Sequence, residues 1–458
     1  MAGRIPIVFV EQVPWGGGAE RAVYSLAARL DLAKFSPFIV HLFDQTEQIM
    51  PFESVVPLIC VKTDPPPVLD SEGSLLEGAF VEQGTHAVPV EIPLQKSSGL
   101  LSWLHHLYRG LSPELRTRLR MGEILQTISR RFQNRTPYEE AMADRNDMGR
   151  LNVILSAFPQ EAVFVAVMEE ASIQLWLNQA YQQRRWVAWL HTIESHFLPI
   201  LYPHLERLAV EEWLLANASR NAETVVFPSQ GCKEDLCEQF FVHPEHIRVI
   251  PNPLDIEAII RQSKENPSLD LPKRTTMFVQ VGRFQQEKNH RLLIEACQLL
   301  RRQEEDFVVI CLGDGPLRAG IQALVDEYGL SEHVLLPGAV ANPYPFMAAA
   351  RAAILTSDFE SFALVLVEAM ACGAVPVSVD CPVGPREVLN GGDYGMLTPP
   401  DDPQALADAM LKIAYDDELY ARLSALGLER ARIYDIDPIT RQWETLLLGT
   451  ALQRKEEK

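Results

Sequence analysis

Two glutamates, Glu360 and Glu368, stand eight positions apart in the run Ser357-Asp358-Phe359-Glu360-Ser361-Phe362-Ala363-Leu364-Val365-Leu366-Val367-Glu368. The apolar stretch Ala352 to Leu355 before them has the length of a buried parallel strand, and Phe362 to Ala371 after them has helical length and composition. Carboxylates at such a strand-to-helix junction can accept hydrogen bonds from sugar hydroxyls. The amides of Ser361, Phe362 and Ala363 would point out of the helix mouth, followed by Leu364 and Val365, where the helix dipole favours a phosphate. Eight residues of helical rise span about 12 Å, a scale that lets Glu360 meet a hexose while Glu368 meets a nucleotide ribose. Taken alone, the pair fits equally a dipole-matching glutamate followed by a solvated one.

Other strand ends carry charge or glycine. In Val281-Gly282-Arg283-Phe284-Gln285-Gln286-Glu287-Lys288, Arg283 leaves a strand and Lys288 enters a helix. They can converge on one anion, the guanidinium bidentate and the ammonium as a mobile point charge, with a pyrophosphate as the natural target. The alternative is a pair of surface cations near a turn. Gly313-Asp314-Gly315 permits close backbone approach to a ligand, or a plain turn. Gly16, Gly17 and Gly18 precede the first helix and could cradle a phosphate. As a dinucleotide fingerprint they fail, because Arg21 occupies the place of the third glycine. A nicotinamide-dependent dehydrogenase is therefore disfavoured. His191 follows the strand Trp186 to Leu190 and can hydrogen-bond near a sugar or cap the next element. His191 and His196 lack the spacing of a zinc-binding helix face and no Asp-x-Asp closes a strand, so no metal is expected.

These residues need strands and helices in alternation, and the chain supplies them. Ile7–Val10, a glycine loop, a helix over 19–30 and a strand over 37–43 form a βαβ opening; strands over 186–190, 224–227 and 247–250 follow, with helices over 198–217 and 230–240 between them. After the polar segment 261–274, taken as a linker, strands are expected over 277–281, 307–312, 333–336, 352–355 and 375–379, each with a helix behind it. That pattern predicts α/β architecture with two doubly wound, Rossmann-like domains facing a central cleft, the ligand at the carboxyl ends of the strands. The expected division is 1–253, 254–435 and a C-terminal helix over 436–458 that packs back on the first domain. The rhythm fails over 64–134, which reads as an insertion.

The 458 residues exceed one comfortable core, and 47% hydrophobic with 22% charged residues is ordinary for a globular chain. A net charge of −20 argues against nucleic acid as a partner. Seven scattered cysteines, the absence of a leader pattern and the lack of an apolar run of spanning length predict a cytoplasmic chain with reduced thiols. Within Leu101 to Arg135, seven arginines stand against Glu114 and Glu123, with Trp103, Leu104, Leu107 and Tyr108 at helical spacing. The segment predicts either a peripheral, inner-face membrane contact through an amphipathic helix or a solvated basic face over core packing.

In order, Gly17 to Arg21, His191-Thr192, Gly282-Arg283 with Glu287-Lys288-Asn289, Gly313-Asp314-Gly315, Glu360 to Glu368, Glu368-Ala-Met-Ala-Cys-Gly373 and Gly384-Pro385-Arg386-Glu387 resemble the family 4 retaining glycosyltransferases. The resemblance is dense in the second half of the chain and sparse in the first. It implies the GT-B fold and hexosyl or N-acetylhexosaminyl transfer from a nucleoside-diphosphate sugar, without cofactor or metal. On family grounds UDP is preferred to GDP. The implied acceptor is a glycan or lipid-linked molecule in surface glycan or glycolipid synthesis; a small-molecule acceptor and a non-catalytic sugar-nucleotide binder are the alternatives. By the same resemblance Arg283 and Lys288 bind the diphosphate, Glu368 the ribose, and Glu360 with the amides of 361–365 the sugar and phosphates. Gly16 to Gly18 face the phosphates, His191 the transferred sugar, and Val340 with Asn342 the base.

Overall fold

The computed structural model describes residues 4–11, 18–42, 56–60, 67–69, 75–80, 148–178, 184–240, 242, 247–267, 276–303 and 306–452. Its first sheet contains β1 (Ile5–Glu11), β2 (Phe35–His41), β3 (Leu58–Cys60), β6 (Val163–Val167), β7 (Arg185–Trp189), β8 (Thr224–Phe227) and β9 (Ile247–Val249), while β4 (Pro67–Leu69) and β5 (Leu75–Phe80) form a separate antiparallel pair. All pairings in the first sheet are parallel, in the order β3-β2-β1-β6-β7-β8-β9. The second sheet, also parallel throughout, contains β10 (Thr276–Val281), β11 (Phe307–Leu312), β12 (Val334–Gly338), β13 (Ala352–Leu355), β14 (Val375–Val379) and β15 (Met396–Thr398) in the order β12-β11-β10-β13-β14-β15. In both sheets the chain winds outward from a central strand, first one way and then the other. The order reverses between β1 and β6 and between β10 and β13, where open parallel sheets bind ligands.

The apolar runs explain the parallel sheets. Strands such as Val163–Val167 and Phe307–Leu312 are buried at every position, as strands covered by helices on both faces must be. In the second sheet Phe278, Val309 and Val377 face the core beneath the helices His290–Leu300 and Pro403–Tyr415, while Val279, Val308 and Ile310 face Phe346 and Met347. The first sheet likewise has an apolar cluster on each face. One of these continues without a break into Leu355, Phe362 and Leu366 of the second sheet's side.

The C-terminal helix Ile436–Leu452 returns across the first sheet. Trp443 is fully buried with its ring 4.4 Å from Trp189, and Arg29 bonds Asp437 at 2.7 Å. Where this helix begins, Asp435 bridges Leu254 and accepts from the Ile256 amide at 3.3 Å, so the two passages of the chain between the sheets are laced together.

The structure departs from the sequence pattern in several places, among them the unexpected edge strands β3 and β15. The strand β6 and the helix Met168–Leu177 behind it are not among the expected elements, because six consecutive buried apolar residues carry no period that separates strand from helix. The single helix expected over 198–217 is two, Glu194–Leu201 and Leu205–Asn221, broken before Pro203. The helix expected from Phe362 begins at Leu364, since Ala363 takes a left-handed φ of 63°.

Candidate active site

The loops after β10 and β13 meet at the order reversal of the second sheet. Lys288 Nζ lies 2.6 Å from Glu360 Oε1, and Ser357 Oγ donates to the same oxygen at 2.6 Å. Thr356, the first residue past β13, donates to the Lys288 carbonyl at 2.9 Å and accepts from Gln280 Nε2 of β10 at 3.0 Å. The Asp358 amide donates to the Glu287 carbonyl at 2.8 Å, and Asn289 Nδ2 to Asp358 Oδ1 at 2.7 Å. Asn289 itself is left-handed (φ 43°), ending the turn Gln286–Lys288 and capping the helix that follows through Leu292 N. The ammonium is thus carried on a fixed turn. Arg283 stands at the rim, its side chain 49% exposed and 3.9 Å from Glu287. At Gly313 a Cβ would lie 1.9 Å from the Gly282 carbonyl, so the glycine lets the loop after β11 pack directly on the loop that presents Arg283.

Glu360 and Glu368 are not two points on one helix. The connection from Glu360 to Ala363 is loop, and only the span from Leu364 is helical, so the helical-rise argument for their separation does not apply. Glu368 is 2% exposed, inside the helix Leu364–Ala371. Its Oε1 accepts from Arg21 Nη2 at 2.5 Å and from the Tyr344 hydroxyl at 3.4 Å. Ala363, a non-glycine residue in the left-handed region, sets the turn into this helix, a strained arrangement of the kind found at ligand clamps. Phe362 is buried against Tyr434, ring centroids 5.2 Å apart, so its side chain anchors the loop.

The first domain closes on this site from the other side. Gly18 opens the helix Gly18–Arg29, and a Cβ there would meet Leu364 Cδ1 at 2.7 Å. Ser229, past β8, donates to the Ser361 carbonyl at 2.6 Å, and the Gln230 amide donates to the Glu387 carboxylate at 2.9 Å, a carboxylate set at the mouth of the helix Gln230–Phe240. His191 follows β7, nearly buried against Trp189 with rings 4.5 Å apart, and neither ring nitrogen has a hydrogen-bond partner among the described residues. Burial lowers its pKa to about 3, so the imidazole is neutral at pH 7. Nearby Glu194 accepts from Thr192 Oγ1 at 2.6 Å; burial first, then the neighbouring Glu169 charge, push its carboxyl well above the usual carboxylate range.

Val340 and Asn342 follow β12, at the edge of the sheet. Val340 packs partly into the core, and Asn342 Nδ2 donates to the Gln262 carbonyl at 3.2 Å and to Glu265 Oε2 at 2.9 Å while its Oδ1 caps Tyr344 N. Gly16, Gly17 and the segment 101–135 lie outside the described residues. Among the described residues no cluster of three or more His, Cys, Asp or Glu side chains could hold a metal, and no helix is long and apolar enough to cross a membrane.

Two doubly wound α/β units, held together by Arg21–Glu368 and Ser229–Ser361, agree with the sequence families that match. The family described as Glycosyl transferases group 1 covers residues 261–430, and Glycosyltransferase Family 4 covers residues 167–258. The chain belongs to family 4 of the glycosyltransferases. Its fold is GT-B. The N-acetylgalactosamine-N,N'-diacetylbacillosaminyl-diphospho-undecaprenol 4-alpha-N-acetylgalactosaminyltransferase of Campylobacter jejuni is 31% identical over 240 residues, 52% of this chain and 64% of that protein. An uncharacterized glycosyltransferase of Methanocaldococcus jannaschii is 27% identical over 261 residues, 50% of this chain and 64% of that one. The chain thus spans less than two thirds of these curated relatives. In structure, HepE of Anabaena in complex with UDP-glucose matches with a TM-score of 0.66 at 18% identity, over 97% of this chain and all of that one.

Within this family 4 chain, Lys288 pairs with Glu360, while Ser361, Leu364 and Glu368 each meet the first domain, through Ser229, Gly18 and Arg21, residues to two of which the sequence pattern assigns no role. Arg21 stands in the sequence only as the end of a glycine motif, yet its guanidinium crosses to Glu368. Ser229 and Glu387 clasp the domains, and Tyr344 supplies a hydroxyl beside Glu368. A loop serine at a strand end carries no local signal, because its partner is 132 positions away.

Proposed function

We propose that the protein transfers a hexosyl or N-acetylhexosaminyl group from a nucleoside-diphosphate sugar, UDP preferred to GDP, to a glycan or lipid-linked acceptor, with retention of anomeric configuration and without an obligatory metal. The observation that carries this reading is the pairing of Lys288 with Glu360 on the loops at the order reversal of the second sheet, with Glu368 of the following helix paired to Arg21 of the Gly18 helix in the first domain. An ammonium has three donors, so Lys288 can hold Glu360 with one and offer two to a diphosphate. Half-exposed Arg283 adds a bidentate fork at the rim. Glu368 takes the ribose hydroxyls, Glu360 and the loop amides take the sugar, and neutral His191 offers a hydrogen bond to the transferred ring from the first domain. Gly16 to Gly18 lie against the phosphates, and the Val340–Asn342 loop against the base.

In the proposed step the bond from the anomeric carbon to the diphosphate oxygen breaks, and its electron pair leaves on that oxygen. The acceptor hydroxyl forms the new bond on the same face of the sugar and gives its proton to the departing diphosphate. Positive charge on the ring and negative charge on the diphosphate grow together, and cations fixed in advance at the diphosphate stabilise the second. The names of relatives support the acceptor class: the Campylobacter protein acts on a diphospho-undecaprenol glycan, and a Rhizobium meliloti relative, 28% identical over 210 residues, is a lipopolysaccharide core biosynthesis glycosyltransferase. UDP-glucose in HepE supports the donor. The proposal places the protein at the inner membrane face through 101–135 and divides the chain at 253 and 435, beside the bridge of Leu254 to Asp435. A thermal-shift screen of UDP, GDP and their sugars tests it, since a ligand at one hundred times its dissociation constant adds about 2.7 kcal/mol. UDP and at least one UDP-sugar should raise Tm; no shift with any nucleotide would remove the reading.

A further inference from the structure

Glu368 presents an electrostatic problem that its own domain does not solve. Its carboxylate is nearly fully buried in an apolar helix, Leu-Val-Leu-Val-Glu-Ala-Met-Ala, and an ionised carboxylate taken out of water needs a partner. The second domain offers it the Tyr344 hydroxyl, long at 3.4 Å and uncharged. The cation comes from the other side of the cleft: Arg21 Nη2 at 2.5 Å, with 27% of its side chain exposed. Both contacts fall on Oε1, so Oε2 is the oxygen with acceptor capacity to give. Arg21 is also set by its helix, whose first residue, Gly18, approaches Leu364 so closely that a Cβ would meet it at 2.7 Å. The helix mouth and the guanidinium thus sit on one helix, both against the second domain.

We propose that Arg21 is a donor-positioning residue supplied across the cleft: it fixes the Glu368 carboxylate in the orientation that receives the ribose hydroxyls, so that ribose recognition is completed only with the domains closed. This rests on the ribose role proposed above for Glu368. The guanidinium holds one oxygen in place with a charge-assisted bond, leaving the other to accept from the ribose. In the open form Arg21 leaves with its helix, and Glu368 keeps only Tyr344. Nucleotide binding and closure then support one another through a single buried ion pair, each favouring the state that the other requires.

The test is the affinity of the wild type, Arg21→Met and Arg21→Lys for UDP and for 2′,3′-dideoxy-UDP by calorimetry, with GDP and its dideoxy form in parallel. In the wild type the missing hydroxyls should weaken binding. Arg21→Met should bind UDP about tenfold more weakly, equivalent to 1.4 kcal/mol, with the dideoxy nucleotide unchanged. Arg21→Lys, which keeps the charge and remains informative if the Met variant is unstable, should fall between, and both variants should raise donor KM with little change in kcat. Equal losses for both nucleotides would assign Arg21 to holding the domains together only. Unchanged or tighter UDP binding would also overturn the proposal, the latter showing that Arg21 competes with the ribose. A wild type that binds but does not distinguish ribose from dideoxyribose would instead refute the role given to Glu368, and one that binds no nucleotide would refute the donor reading itself.

Discussion

Replacing Lys288 by methionine removes the ammonium but keeps most of the stem, and the structure sets the scale of both consequences. The Lys288–Glu360 pair is 2.6 Å long, with side chains 22% and 12% exposed, between the buried and the surface cases. Breaking a buried pair costs about 3–5 kcal/mol, and an exposed pair contributes about 0–1 kcal/mol. Ser357 still donates to the same Glu360 oxygen, and the backbone bonds of the turn, Asp358 N to Glu287 O among them, do not involve the ammonium. The expected loss of stability is therefore about 2 kcal/mol, read from urea unfolding. Turnover should fall further, on the order of 10²-fold, or about 2.7 kcal/mol, as for removal of one preorganised donor at a developing charge. The double variant Lys288→Met/Glu360→Gln separates the two effects. It no longer leaves an unpaired carboxylate, so stability should recover by about 1 kcal/mol or more, while nucleotide release from the donor should stay low. Turnover that recovers with stability, or a single variant with near wild-type turnover, would show that Lys288 serves the fold and not the diphosphate.

Glu368→Gln should raise donor KM with kcat little changed, whereas Glu360→Gln should lower kcat more than it raises KM; equal effects on both constants in both variants would reduce the glutamates to structural roles. His191 is neutral in the fold down to about 3 but takes up a proton below about 6.5 when unfolded, so lowering the pH through that window favours unfolding. Its contribution, measured as the stability difference between wild type and His191→Asn, should fall by about 2 kcal/mol from pH 7 to pH 5, and a difference constant with pH would contradict the buried neutral imidazole. Activity should persist in excess EDTA, because in the proposed step Lys288, Arg283 and helix amides take the place of a metal at the diphosphate; complete loss restored by magnesium or manganese would show a metal in that step.

The second half of the chain is legible in sequence because most of its strands are short, largely apolar runs followed within a few residues by glycine or charge, and that chemistry lies where parallel strands deliver it. Phe307–Leu312 and Val375–Val379 are readable to the residue. The first half is less so. The central strand β6 runs straight into its helix through Met168 at φ 70°, with no glycine or proline to mark the junction. The start of the helix bearing Glu368 is hidden for a related reason, since an alanine in the left-handed region gives no sign of itself in sequence. The candidate site divides the same way. Lys288 and Glu360 lie in local motifs, whereas the partner of Glu368 is 347 positions distant and exists only through the closure of two domains.

Whether the transfer retains configuration, and whether these side chains carry it, can be read in one experiment: proton NMR of the sugar released from or transferred off an α-linked UDP-sugar, UDP-N-acetylglucosamine and UDP-glucose first. An α-configured product is expected at the earliest time points, formed by the wild type and sharply reduced in Lys288→Met and Glu360→Gln. A β-configured first product, or donor consumption unaffected by both substitutions, would contradict a retaining transfer carried out between Lys288, Glu360 and Glu368.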